Sequence, residues 1–132
     1  MISTPHYFYE TAIAYSDLGT DRRLSHKGLL RILQEAASVA SDDVGFGLKD
    51  ANEVHWILSS WRLRMKERPA WRAPLRVETW PRTMDGFLSD REFRVWAGDR
   101  EIARGSSRWV LVDAVTGRLT RITGTVRTAY EE

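Results

Sequence analysis

The chain has 132 residues, 42% of them hydrophobic and 11% aromatic, with six Trp; that is enough for one folded domain spanning residues 1–132 and argues against disorder. It has no Cys, which excludes disulfides, thiolate metal ligands and Cys nucleophiles, and its net charge of +2 is carried mainly by Arg, with Lys only at Lys27, Lys49 and Lys66. The arginines are spread along the chain among acids rather than gathered in a stripe, so nucleic acid is not an expected partner. Met1 to Tyr7 lacks the charged start and apolar run of a signal peptide, and no stretch nears the roughly 20 apolar residues of a membrane-spanning helix, so the cytoplasm is the expected location.

His6 to Tyr15 is rich in aromatic and β-branched residues and reads as a strand. Asp17 to Arg23 is a polar loop with a Gly. Ser25 is a good N-cap, Leu24 before it can staple onto Leu29, and Leu29, Leu33, Ala36, Ala37, Ala40 and Val44 recur at helical spacing. The pattern predicts a helix from Ser25 to Val44, ended by Gly45, whose Ala-rich second half packs against something flat. A Gly-containing loop, Phe46 to Asn52, follows. Val54 to Lys66 then reads as a long strand with apolar residues on both alternating sets (Trp56 and Leu58 against Ile57 and Trp61), which implies burial on both sides or a subunit interface. Trp71 to Pro74 is a turn, Leu75 to Trp80 a strand, Pro81 to Gly86 another turn. Phe87 to Trp96 and Glu101 to Val112 are strands joined by a hairpin turn at Ala97-Gly98-Asp99. Asp113 to Gly117 turns again, Arg118 to Ile122 is a short last strand, and the tail from Thr123 to Glu132 carries weak signal. One helix followed by four or five strands in meander means an α+β fold with an antiparallel sheet.

Three stretches of this pattern resemble the acyl-acyl-carrier-protein (ACP) thioesterases: YSDLGTDRRLSHKGLLRILQEAASVASDDVG, HWILSSWRLRMKERPAWRAPLRVETWPRTMDGF and ARGSSRWVLVDAVTGRLTRI. VETWPR followed by DGF is the more specific signal, and QEAA on the helix is moderately so. The resemblance covers nearly the whole chain and falls on the first of the two hotdog domains that members of the family usually carry. It implies a hotdog fold, one antiparallel sheet wrapped around one long helix. It also implies hydrolysis of a fatty acyl thioester of ACP or coenzyme A, as part of fatty acid biosynthesis. The family's chemistry is usually assigned to the second domain, where a D-x-N-x-H-x-N segment precedes the helix. Aligned through the helix, this chain has Gly19, Asp21, Arg23 and Ser25 at those four positions, so the family's catalytic set is absent. Glu35 alone matches an acidic position near the family's site. A lone first domain would pair with itself or another chain, so a homodimer or homotetramer is expected, and the alternative function is a catalytically silent acyl-binding or partner domain.

Thioester hydrolysis needs an activated water, donors for the developing oxyanion and an apolar slot for the acyl chain. Glu35, beside the apolar stripe of the helix, is the expected general base if it is partly buried, with Asp21, and Asp17 beside it, as loop alternatives. The free N–H groups at the helix start, near His26, Lys27 and Gly28, are the expected oxyanion donors, Gly28 leaving room for a thioester to approach the backbone. His26 is an acid or base, or simply a polar first-turn residue. Trp56, Ile57, Leu58 and Trp61 are expected to line the acyl slot or the dimer seam, or simply to pack in the core, and Ser59 and Ser60 can donate to a thioester or to partner backbone. His6 and His55 read as strand residues without a chemical role. The three His lie far apart without ligand spacing, and no phosphate loop or Ser nucleophile elbow is present, so no metal or cofactor is expected.

Overall fold

Ser25 sits in the extended region and its Oγ accepts the Gly28 N–H at 2.9 Å, so the first helix begins one residue later. In this computed structural model, which describes residues 4–46 and 53–131, the elements are β1 (Tyr7–Ala12), α1 (His26–Asp43), β2 (Val54–Met65), β3 (Pro74–Asp85), β4 (Leu88–Ala97), β5 (Arg100–Asp113) and α2 (Gly124–Glu131). Past Phe46, the expected loop to Asn52 falls outside the described residues. Gly45, at φ +90°, follows the Val44 cap and stops α1 where the sequence placed the stop.

The five strands form one antiparallel sheet in the order β1-β3-β4-β5-β2. Leu29, Ile32, Leu33, Ala36 and Ala37 of α1 join Leu75, Val77, Phe93, Val95, Ile102 and Ala103 of the sheet in one buried cluster. Alanines on this face bring the helix axis close to the strands. A sheet wrapped around one long helix is the hotdog arrangement, as the resemblance implied. Only β3, β4 and β5 run as a meander; β2 crosses to pair with β5 and forms an edge of the sheet.

Helix and sheet are tied together at Asp17, which is 1% exposed. Its backbone carbonyl accepts both the N–H and the Oγ–H of Ser25, at 2.9 Å each. Its carboxylate accepts the Ala14 N–H at 2.9 Å and two Arg31 N–H bonds, at 2.5 and 2.7 Å. A Cβ on Gly28 would stand 2.2 Å from the Asp17 carbonyl oxygen, so only glycine lets the helix start lie this close.

Four expectations are corrected. Trp61 does not lie opposite Trp56 and Leu58: the register of β2 shifts between Leu58 and Ser60, so Trp56 and Leu58 share the inner face with Trp61, Leu63 and Met65. A register shift of this kind exchanges the two faces of a strand. Ile57 is left on the outside, 50% exposed. Pro81 to Gly86 is not a turn, because β3 runs through to Asp85. Pro81 lies two residues beyond Thr79, the last β3 residue paired with Tyr7 of β1, and beside a register shift against β4, where a missing N–H interrupts no regular ladder. Arg118 to Ile122 makes a single bridge, Val112 to Leu119, rather than a strand. The tail forms α2, whose Val126 and Tyr130 are buried against Met84. The N-terminal strand is also shorter than expected, giving way to a 3-10 turn at Tyr15–Asp17.

Burial raises the Asp17 carboxyl, but the bonds from Arg31 and the Ala14 N–H outweigh it and hold it below its ordinary value of about 3.8. The stability this group adds is therefore fully present above that value and is lost as pH falls through the depressed native one. Asp17→Asn is expected to cost about 1.5–3 kcal/mol at neutral pH, the worth of hydrogen bonds to a charged group. It should also flatten the acid limb of the stability curve, read by urea unfolding from neutral pH downward. Gly28→Ala should cost about 1–3 kcal/mol by overpacking, whereas Gly124→Ala, whose Cβ would meet nothing within 4 Å, should not destabilise.

Candidate functional site

The inner face of the sheet is longer than the apolar cluster under α1. Along β4 the inward residues change from Val95 and Phe93 to Arg91 and Ser89, and along β5 from Ala103 to Ser107 and Trp109. At this end a cavity of about 290 Å³ opens between the second half of α1, the sheet and α2. Ala37, Ser38 and Ser41 of α1, Trp56 of β2, Met84 of β3, Trp109 of β5 and Tyr130 of α2 form its walls, with Phe46, Ser89 and Arg91. His55 and Ile57 also line it and are exposed, so its open side lies at the β2 edge. The register shift in β3 is what turns Met84 inward, after Leu75, Val77, Thr79 and Pro81.

Most of the lining is apolar or aromatic, with its polar atoms arranged in a small network. Trp56 Nε1–H donates to the Tyr130 hydroxyl at 2.9 Å, and that hydroxyl donates to Ser41 Oγ at 2.8 Å. Burial raises the Tyr130 hydroxyl above its ordinary value, against the opposing pull of Ser41, Arg91 and Trp56. Trp109 Nε1–H donates to Ser107 Oγ at 2.8 Å. Arg91 is 6% exposed; its Nη1–H donates to Thr79 Oγ1 at 3.1 Å, and its guanidinium lies 5.9 Å from the centre of the Tyr130 ring. Burial depresses the Arg91 guanidinium to about 10, so it remains charged at neutral pH.

The residues singled out from the sequence do not converge within one chain. Of them, Trp56 and Ile57 line the cavity. Trp61 packs against Phe93, ring centres 5.2 Å apart, in the main core. Ser59 is exposed at the β2 register shift. Glu35 is exposed on α1, not partly buried, and Arg31 one turn before it feels its charge. Asp21 is paired with Arg68, at 2.7 and 2.9 Å, in the loop, where the Arg68 bonds lower its carboxyl. His26 and Lys27 are exposed at the helix start, and Gly28 is buried. At Gly28 the N–H is taken by Ser25, and the space its missing side chain leaves is filled by Asp17. Met84, Arg91, Trp109 and Tyr130 were not expected at a site. The register shift in β3 hid the phase of Met84, and α2 was not legible. Among the described residues no group of three or more His, Asp or Glu could hold a metal, and no helix is long and apolar enough to cross a membrane.

A model of the acyl-ACP thioesterase N-terminal domain matches residues 6–130. The chain is 27% identical over 127 residues to the chloroplastic oleoyl-acyl carrier protein thioesterase 2 of Arabidopsis thaliana. That match covers 86% of this chain and 34% of the relative, so the chain spans about a third of the length of the curated relatives it matches. The fold is similar to that of an acyl-ACP thioesterase from Bacteroides thetaiotaomicron (TM-score 0.82, 23% identity, covering 93% of this chain and 52% of that one). It is also similar to a 1,4-dihydroxy-2-naphthoyl-CoA thioesterase from Synechocystis (TM-score 0.84, 11% identity, covering 96% of each).

Tyr130→Phe removes the acceptor of the Trp56 N–H and the donor to Ser41 together. It is expected to cost about 1–3 kcal/mol, the penalty for leaving a buried polar group unsatisfied. Thermal unfolding monitored by Trp fluorescence reads it, with a shift within error showing that the network does not hold α2.

Proposed function

The chain belongs to the acyl-ACP thioesterase family, by the match of residues 6–130 to its N-terminal domain, and from that premise we propose that it binds an acyl thioester and hydrolyses it to a free fatty acid and a thiol. The observation that carries this reading is the cavity. Its aromatic and apolar walls take an acyl chain, and its open side lies at the β2 edge, where a thioester on ACP or coenzyme A would remain outside.

The chemistry then takes place at the mouth. Among the described residues no carboxylate lines the cavity, so a carboxylate base would come from outside it; the lining also holds the imidazole of His55, on its exposed side. In the proposed homodimer a second hotdog unit lies along β2, shields the mouth from water and covers part of α1. Glu35 is the general base of that assembly, and Asp21, tied to Arg68, is the weaker candidate. The silent acyl-binding reading has its own support: the D-x-N-x-H-x-N segment is absent and, among the described residues, no carboxylate lines the cavity of one chain. In that reading the chain holds the acyl group and a different protein supplies the chemistry.

Thiol release from a panel of acyl-ACP and acyl-CoA thioesters, with light scattering to give the mass, tests the proposal. The chain is expected to release thiol and to have at least twice the 15.2 kDa chain mass. Glu35→Gln should lower the rate by at least about 100-fold without moving the melting temperature, because loss of a positioned general base costs roughly 10²–10⁴-fold. Full activity in Glu35→Gln together with a dead Asp21→Asn moves the base to the loop. Saturable binding of a thioester without thiol release selects the silent reading. Ser38→Phe, which fills the cavity from α1, should lower the rate on long acyl chains at least about tenfold more than on short ones; equal loss on both would remove the cavity from the reading.

A further inference from the structure

Among the described residues, Arg91 is the one permanently charged side chain on the cavity wall, and its position is the opposite of what its neighbours in sequence would suggest. Asp90 and Glu92 flank it, but a strand sends successive side chains to opposite faces. Both carboxylates therefore lie on the outer face, where Asp90 pairs with Arg108 and Arg82, and Glu92 with Arg82. Arg94 and Arg104, also outward, share Glu101. Arg91 points inward, is buried, and has no carboxylate partner among the described residues. A guanidinium carries five N–H donors in a planar fork. Here one of them is used on Thr79 Oγ1, and one ring face is offered by Tyr130.

A buried charge without a counter-charge is costly, and proteins keep one where an anion comes to meet it. The fork of a guanidinium matches a carboxylate in bidentate geometry. Around it, Trp56, Met84 and Trp109 supply apolar walls, and Ser89 lines the cavity two residues before Arg91 on the same strand. We propose that the cavity takes an aliphatic chain ending in a carboxylate, with Arg91 pairing that carboxylate. This deepens the proposed function and rests on it only for the thioester. The carboxylate has two possible sources: the far end of an ω-carboxyacyl thioester whose sulfur stays at the mouth, or a free fatty acid such as the product of hydrolysis.

Trp56 and Trp109 line the cavity, so Trp fluorescence reads binding directly. With the wild-type chain, octanoate is expected to bind about 10- to 100-fold more tightly than octan-1-ol at neutral pH, the range of a charge-assisted pair. Equal binding, tighter binding of the alcohol, or no binding of either overturns the proposal, and none of these needs a variant. Arg91→Met keeps length and apolar character; it should abolish the preference and leave octan-1-ol binding intact. A preference that survives in Arg91→Met also overturns it. If that variant does not fold, Arg91→Lys, which keeps the charge without the fork, should give an intermediate ratio, and an unchanged ratio would count against bidentate pairing. Octanoyl-pantetheine and 7-carboxyheptanoyl-pantetheine separate the two sources. Tighter binding of the second assigns the carboxylate to the far end of the acyl chain; equal binding alongside a retained octanoate preference assigns it to the free acid. Thiol release is scored separately, so a chain that hydrolyses thioesters yet ignores carboxylate loses only this inference. A chain that prefers octanoate but releases no thiol loses only the hydrolase reading.

Discussion

The placement of everything else depends on how Asp17 fastens the start of α1. Its carbonyl holds Ser25 by two bonds, its carboxylate holds Arg31 one turn into the helix, and its backbone occupies the space beside Gly28. A helix fixed at its first two turns has little freedom of direction. An 18-residue helix spans about 27 Å at 1.5 Å per residue, so a small change of angle at the start would carry its far end several ångströms. That far end bears Ala37, Ser38 and Ser41, one wall of the cavity. The loop acid nearest the helix, which as a sequence feature could be read as chemistry, is thereby used for alignment.

The second constraint is the phase of the strands. Strict alternation would send Trp56 and Trp61 to opposite faces, as it would Pro81 and Met84. Register shifts at Ser59 and Arg82 cancel that difference in each case. The result is an inner face that changes character along its length: an apolar half covered by α1, and an aromatic and polar half that leaves a cavity. Closing the second half falls to α2, an eight-residue helix too short to be stable alone. Burial of Val126 and Tyr130, the bond from Tyr130 to Ser41, the bond Tyr130 accepts from Trp56, and the Arg127 bond to the Met84 carbonyl at 3.1 Å hold it in place.

These two constraints also mark what the sequence could reveal. The helix was legible because Ser25, Gly45 and the Leu and Ala spacing act locally. The hairpin turn at Gly98 and Asp99 was legible for the same reason, and VETWPR with QEAA carried the family and so the hotdog fold. Pro81 was misread because its missing donor is costly only inside a regular ladder, and the ladder's limits are set by β1, distant in sequence. The β2 faces were misread because a register shift leaves no mark in hydrophobicity; Ser59-Ser60, the polar pair between Leu58 and Trp61, is the faint sign of it. α2 was invisible because its stability is tertiary. Of the expected site residues, Trp56 fell in the cavity because it is a large inward aromatic. Glu35 did not, since a helical position two after Leu33 turns away from the sheet.

Assembly and chemistry meet at the same edge. Among the described residues β2 pairs on one side only, with β5, so the other side of this 12-residue strand is an edge of the sheet. Such an edge invites another strand. Its outward residues include the half-exposed Ile57, beside the mouth of the cavity. In the proposed dimer, pairing along this edge covers Ile57, satisfies the free backbone groups and excludes water from the point where a thioester would sit. Excluding water matters there, because donors and charges act most strongly on a developing oxyanion in a dry site. In the proposed function a single hotdog unit therefore has an acyl slot with an unshielded entrance, and a second unit along β2 is what would turn that entrance into an enclosed site.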